Sequence, residues 1–229
     1  MTTGCVWITG GGGGVGAALA RRLADEGEQV VISGSQPGSL ADVAGANPNI
    51  QIFPLDIADG TAVRNGVQRI ESEFAPITLA VLNADAYYPT PEVSFDREKL
   101  KGASDVNLGG TLNCLGVLVP LMQGRRRGHV AILSSVAGFR NLPRQGAVPA
   151  SKAALIQLAE SLSTDLANSG VRVQVINPSL VKDKRTDGEQ DVVTADKAAE
   201  LILRGLRSTS TQSNGATWLR RLLNILLRQ

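Results

Sequence analysis

Short apolar runs rich in β-branched residues alternate along the chain with stretches in which apolar residues recur every three or four positions. The first pattern predicts buried strands and the second predicts amphipathic helices. Strands are predicted at residues 5–9, 29–33, 50–56, 77–83, 129–135 and 171–177. Helices are predicted at residues 15–26, 39–44, 61–74, 95–122 and 151–168, from about residue 194, and at 218–227. Strands that alternate with helices in this way favour a parallel sheet covered on both faces.

The predicted architecture is a single-domain α/β fold, a doubly wound parallel sheet of the Rossmann type with six or seven strands and a C-terminal amphipathic helix. We assign residues 1–207 to this domain and residues 208–229 to a loop and the last helix. Residues 208–216 have the composition of a loop, so any seventh strand would be weak. The last helix has an apolar side and an arginine-bearing side. This favours docking on the domain or on a second subunit, with contact to a membrane surface as the alternative.

The composition narrows the classes of function. The 229 residues include 23 Lys and Arg against 21 Asp and Glu, and this balance argues against a nucleic acid as the main partner. One histidine and two distant cysteines make a metal site unexpected. The chain has no run of 18 apolar residues and no pattern of a secretory signal at its start. We therefore expect a cytoplasmic protein, with peripheral membrane contact as the alternative.

A glycine-rich run follows the first predicted strand and opens the first helix. Residues 9–16 read Thr-Gly-Gly-Gly-Gly-Gly-Val-Gly. Glycines permit a tight turn and a close approach of the backbone to a ligand, and the free N–H groups of a helix N-terminus favour an anion. The placement therefore indicates a site for the pyrophosphate of a dinucleotide.

The spacing Thr-Gly-x-x-x-Gly-x-Gly of this run resembles the short-chain dehydrogenase/reductase family, and the resemblance continues in order to about residue 181. The matching elements are Asp56-Ile57, Leu82-Asn83-Ala84-Asp85, Val106-Asn107, residues 133–138 with Ser135, Ser151-Lys152 and Asn177-Pro178-Ser179. The resemblance implies an oxidoreductase that moves a hydride between a nicotinamide dinucleotide and a small carbonyl or alcohol compound. It also implies a homodimer or homotetramer.

The resemblance assigns roles to individual residues. In the family a serine steadies the carbonyl oxygen, a lysine binds the nicotinamide ribose and an asparagine holds a water of the proton relay. These roles would fall to Ser135, Lys152 and Asn107. The expected cofactor-binding residues are Thr9, Gly10, Gly14, Val15, Gly16, Ser35, Asp56, Ile57, Asn83, Ala84, Lys152 and Pro178.

The sequence gives little indication of whether the cofactor is NAD or NADP. The second strand ends in Ser33-Gly34-Ser35, which offers neither a carboxylate for the ribose hydroxyls of NAD nor an arginine for the phosphate of NADP. We expect NADP(H) rather than NAD(H), with Ser35 as a donor to the phosphate.

The general acid/base of the family is a tyrosine four residues before the lysine, and the charge of the lysine lowers its pKa. The corresponding residue here is Val148, and residues 139–152 contain no tyrosine. Because valine can neither donate nor accept a proton, we expect weakened or altered catalysis, with a loss of about 10²–10⁴ in rate. Tyr87 and Tyr88 are alternatives for the role, although aromatic cover on a loop is the plainer interpretation.

Further departures fall near the expected cofactor site. Asp85 and Ser179 replace glycines of the family pattern, and Asp183 replaces a threonine. Asp85 should weaken the binding of an anionic ligand unless it points away. Away from this site, His129 is expected to be exposed at a sheet edge and Arg125-Arg126-Arg127 to form a solvated turn.

Three hypotheses about function stay open. The first is an oxidoreductase with reduced or altered activity, favoured by the retained serine and lysine. The second is a catalytically inactive binding or scaffold protein, favoured by the departures. The third is an accessory protein that acts at a membrane surface through the last helix.

Overall fold

Parallel pairing joins the strands that the structure describes into one sheet. The computed structural model describes residues 4–86, 97–135, 147–178, 181–182 and 192–214. Within these residues the strands are β1 (Cys5–Thr9), β2 (Val30–Ser33), β3 (Ile50–Ile52), β4 (Ile77–Leu82), β5 (Gly128–Leu133), β6 (Val171–Asn177) and β7 (Gln212–Asn214). Their order in the sheet is β3-β2-β1-β4-β5-β6-β7. The order therefore reverses between β1 and β4, and doubly wound sheets bind ligands beyond the carboxyl ends of the strands at such a point.

The helices cover both faces of this sheet. They are α1 (Gly14–Asp25), α2 (Pro37–Ala44), α3 (Gly60–Glu73), α4 (Arg97–Ser104), α5 (Thr111–Gly124), α6 (Ala147–Asp165) and α7 (Ala195–Arg207). A π-helical segment, Asp105–Gly110, joins α4 to α5. One hydrophobic core lies between the sheet and α3, α5 and α6, and the other lies between the sheet and α1, α2 and α7.

The side chains of β1 show why the sheet needs cover on both faces. Cys5 and Trp7 point into the first core, whereas Val6 and Ile8 point into the second. All four residues are buried. The indole Nε1 of Trp7 donates a hydrogen bond to Ser33 Oγ at 2.9 Å, so its polar atom is satisfied within the sheet. A strand buried on both faces has to be apolar along its whole length, which explains the continuous apolar runs of the sequence.

The predicted α/β architecture is confirmed, and the differences lie at the ends of elements. β1 and β6 have the predicted bounds. The predicted third strand is too long, because β3 ends at Ile52, shortly before Pro54, whose missing N–H cannot extend a ladder. Of the six or seven strands predicted, the seventh is present as the short strand Gln212–Asn214, which pairs with the end of β6 inside the stretch 208–216 whose composition predicted a loop.

The single long helix predicted at residues 95–122 is interrupted by the π-helical segment. The Thr111 hydroxyl donates to the carbonyl of Asn107 at 2.8 Å across this wider turn. Gly110 lies directly against Ile57, since a Cβ at this position would come within 2.6 Å of the isoleucine side chain. Asn107 is fully buried. The interruption therefore lies next to the loop that follows β3.

The helical stretch 100–124 is long and apolar enough to cross a membrane by length and composition. Its residues Leu115, Leu118 and Met122 are buried in the core beneath the sheet. We therefore assign the stretch to the core of the α/β domain.

Beyond β6 a parallel bridge joins Val181 to Val193, and the N–H of Lys182 donates to the Val193 carbonyl at 2.8 Å. Thr194 then caps α7 by accepting from the N–H of Lys197. The two ends of the short connection between β6 and α7 thus lie side by side. Several residues that carried predictions lie outside the described residues, namely Tyr87, Tyr88, Ser179, Asp183 and the helix at 218–227.

Candidate active site

Side-chain hydrogen bonds hold the turn after β1 against the turn after β4. Thr9 Oγ1 accepts from the N–H groups of Asn83 and Ala84, at 3.0 and 3.2 Å. Asn83 Nδ2 in turn donates to the carbonyls of Thr9 and Gly10, at 3.2 and 3.0 Å. These bonds bring four of the predicted cofactor-binding residues together where the strand order reverses.

Glycine is required at two positions of this turn. Gly10 has a φ of +65°, and a Cβ there would lie 2.8 Å from the Cα of Ala84. A Cβ on Gly16, in the first turn of α1, would lie 2.2 Å from the carbonyl oxygen of Gly10. The N-terminus of α1, which starts with Gly14 and Val15, therefore packs directly on the turn. Its free N–H groups are available to an anion at this edge of the sheet.

A cleft of about 440 Å³ opens along the same edge. This volume lies in the usual range for small-molecule sites. The walls come from the glycine-rich turn, the end of β2, the loops after β3 and β4, and the π-helical segment. They are Gly10, Gly12, Gly13, Gly34, Ser35, Gln36, Ser39, Leu55, Asp56, Ile57, Ala84, Asp85, Ala86 and Val106. Five predicted cofactor-binding residues therefore line one cleft. Pro178, predicted with them, follows β6 and is buried.

Asn107 fixes the loop that follows β4. Its Oδ1 accepts from the N–H of Ala86 at 2.6 Å, and its Nδ2 donates to the carbonyl of the same residue at 3.2 Å. Nδ2 also lies 3.3 Å from Ser151 Oγ in the first turns of α6. The side chain predicted to serve a proton relay therefore bridges the loop after β4 to α6.

The lysine predicted to bind the nicotinamide ribose is engaged by a carboxylate. Lys152 Nζ lies 3.0 Å from Asp85 Oδ1. The lysine side chain is 7% exposed and the aspartate side chain 21% exposed, so the carboxylate lies on the open side of the pair. The backbone carbonyl of Lys152 accepts from Ser134 Oγ at 2.9 Å, which ties α6 to the end of β5. Asp85 therefore does not point away from the site.

Ser135 and Val148 occupy the expected elements. Ser135 follows β5 at the carboxyl edge of the sheet and is partly buried. Val148 lies in the first turn of α6, four residues before Lys152, and this spacing puts the two positions on one face of the helix. Pro149 lies in the same first turn, where proline is tolerated because the N–H it lacks would have no partner within the helix.

The prediction of an exposed edge histidine is wrong. His129 lies on β5, which has β4 on one side and β6 on the other, and it pairs with Arg172 of β6. Burial lowers the pKa of His129 to about 4, the positive charge of Arg172 acts in the same direction, and a contact with Gln174 opposes both. With this pKa His129 is neutral near pH 7. It lies at the amino end of its strand and is therefore remote from the cleft at the carboxyl edge.

The prediction of a solvated arginine turn holds only in part. Arg126 and Arg127 are exposed. Arg125 instead forms a partly buried ion pair with Glu71, at 2.8 Å, and donates to the carbonyl of Ile77 at the start of β4. It therefore ties the end of α3 to the amino edge of the sheet.

Sequence reasoning gave no role to Ser134 or Ser151 and did not foresee the pairing of Asp85 with Lys152. Ser134 and Ser151 are sequence neighbours of the predicted site residues Ser135 and Lys152, but serine is too common a residue for such a neighbour to indicate a role. The sequence contains one indication of the pairing, because Asp85 places a carboxylate where the family pattern has a glycine. The orientation of the Asp85 side chain depends on how Thr9 and Asn107 hold the loop.

Comparison with known proteins agrees with this geometry. The family profile of the short chain dehydrogenases matches residues 4–195. The chain belongs to this family. Among its relatives, an uncharacterized oxidoreductase of Myxococcus xanthus is 35% identical over 183 residues, which cover 78% of this chain and 72% of that protein.

Solved structures of short-chain dehydrogenases have the same fold. A short-chain dehydrogenase from Streptomyces avermitilis superposes with a TM-score of 0.85 at 22% identity, over 98% of this chain and 93% of that one. One from Burkholderia cenocepacia, in complex with NADP, gives 0.84 at 24% identity over the same shares. These likenesses show the fold, and the family assignment makes the protein an oxidoreductase of the short-chain dehydrogenase type.

Proposed function

We propose that this protein is an NAD(P)(H)-dependent oxidoreductase that interconverts a small carbonyl compound and its alcohol, with weakened or altered catalysis. The observation that carries the proposal is the convergence of three elements on one edge of the sheet. The end of β5 brings Ser135 there, α6 brings Lys152, and the π-helical segment brings Asn107. The substrate itself stays open, since no described feature selects one compound.

The shape of the cleft suits a dinucleotide along most of its length. The turn at Gly10 and the N-terminus of α1 leave room for backbone N–H groups to contact a pyrophosphate. Asp56 and Ile57 line the cleft beyond the turn, as expected for an adenosine site. The nicotinamide end fits less well, because Lys152 is already paired with Asp85.

We infer roles for the residues of this chain as follows. When bound, the nicotinamide ring supplies or accepts the hydride. Ser135 donates a hydrogen bond to the substrate oxygen, and Lys152 binds the ribose hydroxyls. Asn107 holds the loop that carries Asp85. Because Val148 cannot transfer a proton, the proton reaches or leaves the substrate oxygen through water, and we expect a reduced rate for this reason.

We propose NADP(H) as the preferred dinucleotide. Ser35 supports this choice, because it is exposed, lines the cleft after β2 and can donate to a phosphate. No carboxylate stands at the end of this strand to repel the phosphate or to hold the ribose hydroxyls of NAD. The Burkholderia cenocepacia relative is itself in complex with NADP.

The second candidate function is a catalytically inactive binding or scaffold protein. The Lys152–Asp85 pair favours it, because a lysine held by a carboxylate is less available to a ribose. We also propose a homodimer or homotetramer in the cytoplasm. Leu112 and Leu121 on α5 are 46% and 37% exposed, which supports an apolar contact between subunits.

Calorimetric titration with NADPH and with NADH, followed by turnover assays on a panel of carbonyl compounds, tests the proposal. We expect a dissociation constant below about 1 mM for NADPH. We expect slow turnover that Lys152→Ala abolishes and that Val148→Tyr raises. Val148→Phe is the matched control, because it adds the ring without the hydroxyl. Binding without turnover in the wild type would favour the inactive alternative, and absence of binding to every variant would contradict both uses of the cleft.

A further inference from the structure

Hydrogen bonds anchor the residues on either side of Asp85. The preceding residue, Ala84, donates its N–H to Thr9 Oγ1 at 3.2 Å. The following residue, Ala86, exchanges two hydrogen bonds with the side chain of Asn107, at 2.6 and 3.2 Å. The loop around Asp85 is therefore anchored to β1 on one side and to the π-helical segment on the other.

The backbone at this position tolerates a side chain. Among the described residues other than glycine, only Arg126 has a positive φ. The glycine that the family resemblance expects at position 85 is thus not demanded by backbone conformation here. The aspartate side chain extends towards α6 and places Oδ1 3.0 Å from Lys152 Nζ.

The pair also changes what the cleft presents to a ligand. Asp85 lines the cleft, whereas Lys152 is not among its lining residues and its side chain is only 7% exposed. A ligand that enters the cleft therefore meets the carboxylate first, with the ammonium behind it. The negative charge compensates the positive charge that would otherwise attract an anionic dinucleotide.

We propose that Asp85 sets the affinity of the cleft for a dinucleotide, because its carboxylate occupies the Lys152 ammonium that would otherwise hold the ribose hydroxyls. This inference rests on the proposed function, which assigns the ribose to that lysine. Binding of a dinucleotide then requires the Lys152–Asp85 pair to open or to share its hydrogen bonds. Asp85 accordingly lowers the affinity of the cleft for a dinucleotide.

The test is calorimetric titration of the full-length protein with NADPH and with NADH. Asp85→Asn removes the charge at nearly constant shape, and Asp85→Gly restores the residue of the family pattern. We expect both to bind NADPH about tenfold more tightly than the wild type, equivalent to about 1.4 kcal/mol. Circular dichroism confirms that each variant is folded. If the glycine variant does not fold, the asparagine variant decides the question.

Glu71→Gln is the matched control. Glu71 has a side chain 19% exposed and pairs with Arg125 at 2.8 Å, so it resembles Asp85 in burial and pairing. It lies at the amino edge of the sheet, away from the cleft. Its substitution should leave the dissociation constant for NADPH within about twofold of the wild type, a difference of about 0.4 kcal/mol.

Testing Asp85→Asn in the Lys152→Ala variant distinguishes two causes of tighter binding, namely release of the lysine ammonium and loss of a negative charge that repels the ligand. In Lys152→Ala, the gain from Asp85→Asn should disappear, since no ammonium is left to release. A gain that persists in this background would overturn the inference, and so would an unchanged or weakened affinity in both Asp85 variants. Failure of the proposed function has a different result, namely no binding of either dinucleotide by the wild type or by any variant. Binding by the Asp85 variants alone would support the inference.

Discussion

The amide of Asn107 connects three parts of the site, so its removal is the most informative perturbation of the scaffold. Asn107→Ala deletes one acceptor and two donor interactions of a fully buried side chain. The N–H and carbonyl of Ala86 and the hydroxyl of Ser151 each lose a partner.

The magnitude follows from the burial of the groups that lose the Asn107 amide. An unsatisfied buried polar group costs about 1–3 kcal/mol. Ser151 is buried, whereas Ala86 is only partly buried, so water can replace part of what its two groups lose. We therefore expect Asn107→Ala to lower the free energy of unfolding by about 3 kcal/mol. Urea denaturation followed by the fluorescence of the buried Trp7 measures this change, with linear extrapolation to zero denaturant.

Asn113→Ala is the matched control on the same helical stretch. The Asn113 amide donates to the carbonyls of Ile57 and Ala58, at 2.9 and 3.2 Å. It is only partly buried, and Ala58 is exposed, so water can take over these bonds. A loss of about 1 kcal/mol is expected. If Asn107→Ala proved no more destabilising than Asn113→Ala, the argument that Asn107 bridges the loop and α6 would be refuted.

Three further predictions use other parts of the structure. His129 is the only histidine, and its pKa falls from 6.5 to about 4 on burial, so the unfolded state binds the extra proton between these values. The free energy of unfolding should therefore fall by about 3 kcal/mol in total as the pH drops from 6.5 to 4. In urea denaturation over this pH range, His129→Asn should show a smaller fall, and an equally steep fall in the variant would contradict the assignment. Gly16→Ala should lower the free energy of unfolding by about 1–3 kcal/mol, because its Cβ would clash with the Gly10 carbonyl. Gly13→Ala is the control: its Cβ meets no described atom within 4 Å, so the urea midpoint should stay unchanged. Val148→Tyr combined with Asp85→Gly should turn over carbonyl compounds faster than Val148→Tyr alone, since a released lysine lowers the pKa of the added phenol; equal kcat values would argue against it.

The sequence predicted the fold because strands buried on both faces leave a continuous apolar signal. Trp7 and Ile8 belong to opposite cores, and no polar residue had to interrupt their strand. The short strand Gln212–Asn214 was predicted only as a weak alternative, because its pairing comes from the neighbouring β6 and not from its own composition. His129 was misjudged for a related reason, since its burial depends on the strands on either side.

At the candidate site the sequence predicted positions but not orientations. The glycine-rich turn was foreseen because its conformational demands are local, as the +65° φ of Gly10 shows. The partner of Asp85 could not be foreseen, since a carboxylate joined to the backbone through one methylene can turn towards solvent or towards α6. The outcome depends on hydrogen bonds from Thr9 and Asn107, which are distant in sequence.

The wide turn between α4 and α5 has a consequence for how this protein can vary. An α-helix turns by about 100° per residue, whereas a π-helical turn, with its i→i+5 hydrogen bonds, turns by less, so it takes up an extra residue with little net rotation of the helices on either side. Deleting one residue from Asp105–Gly110 would therefore let the backbone relax to ordinary α geometry while Arg97–Ser104 and Thr111–Gly124 keep nearly the same relative orientation. The change would be local, and it would fall on the segment that carries Asn107, whose amide would lose its alignment with Ala86. A single-residue gap in this stretch of a homologue would thus mark a protein that keeps the fold but holds the loop after β4 differently.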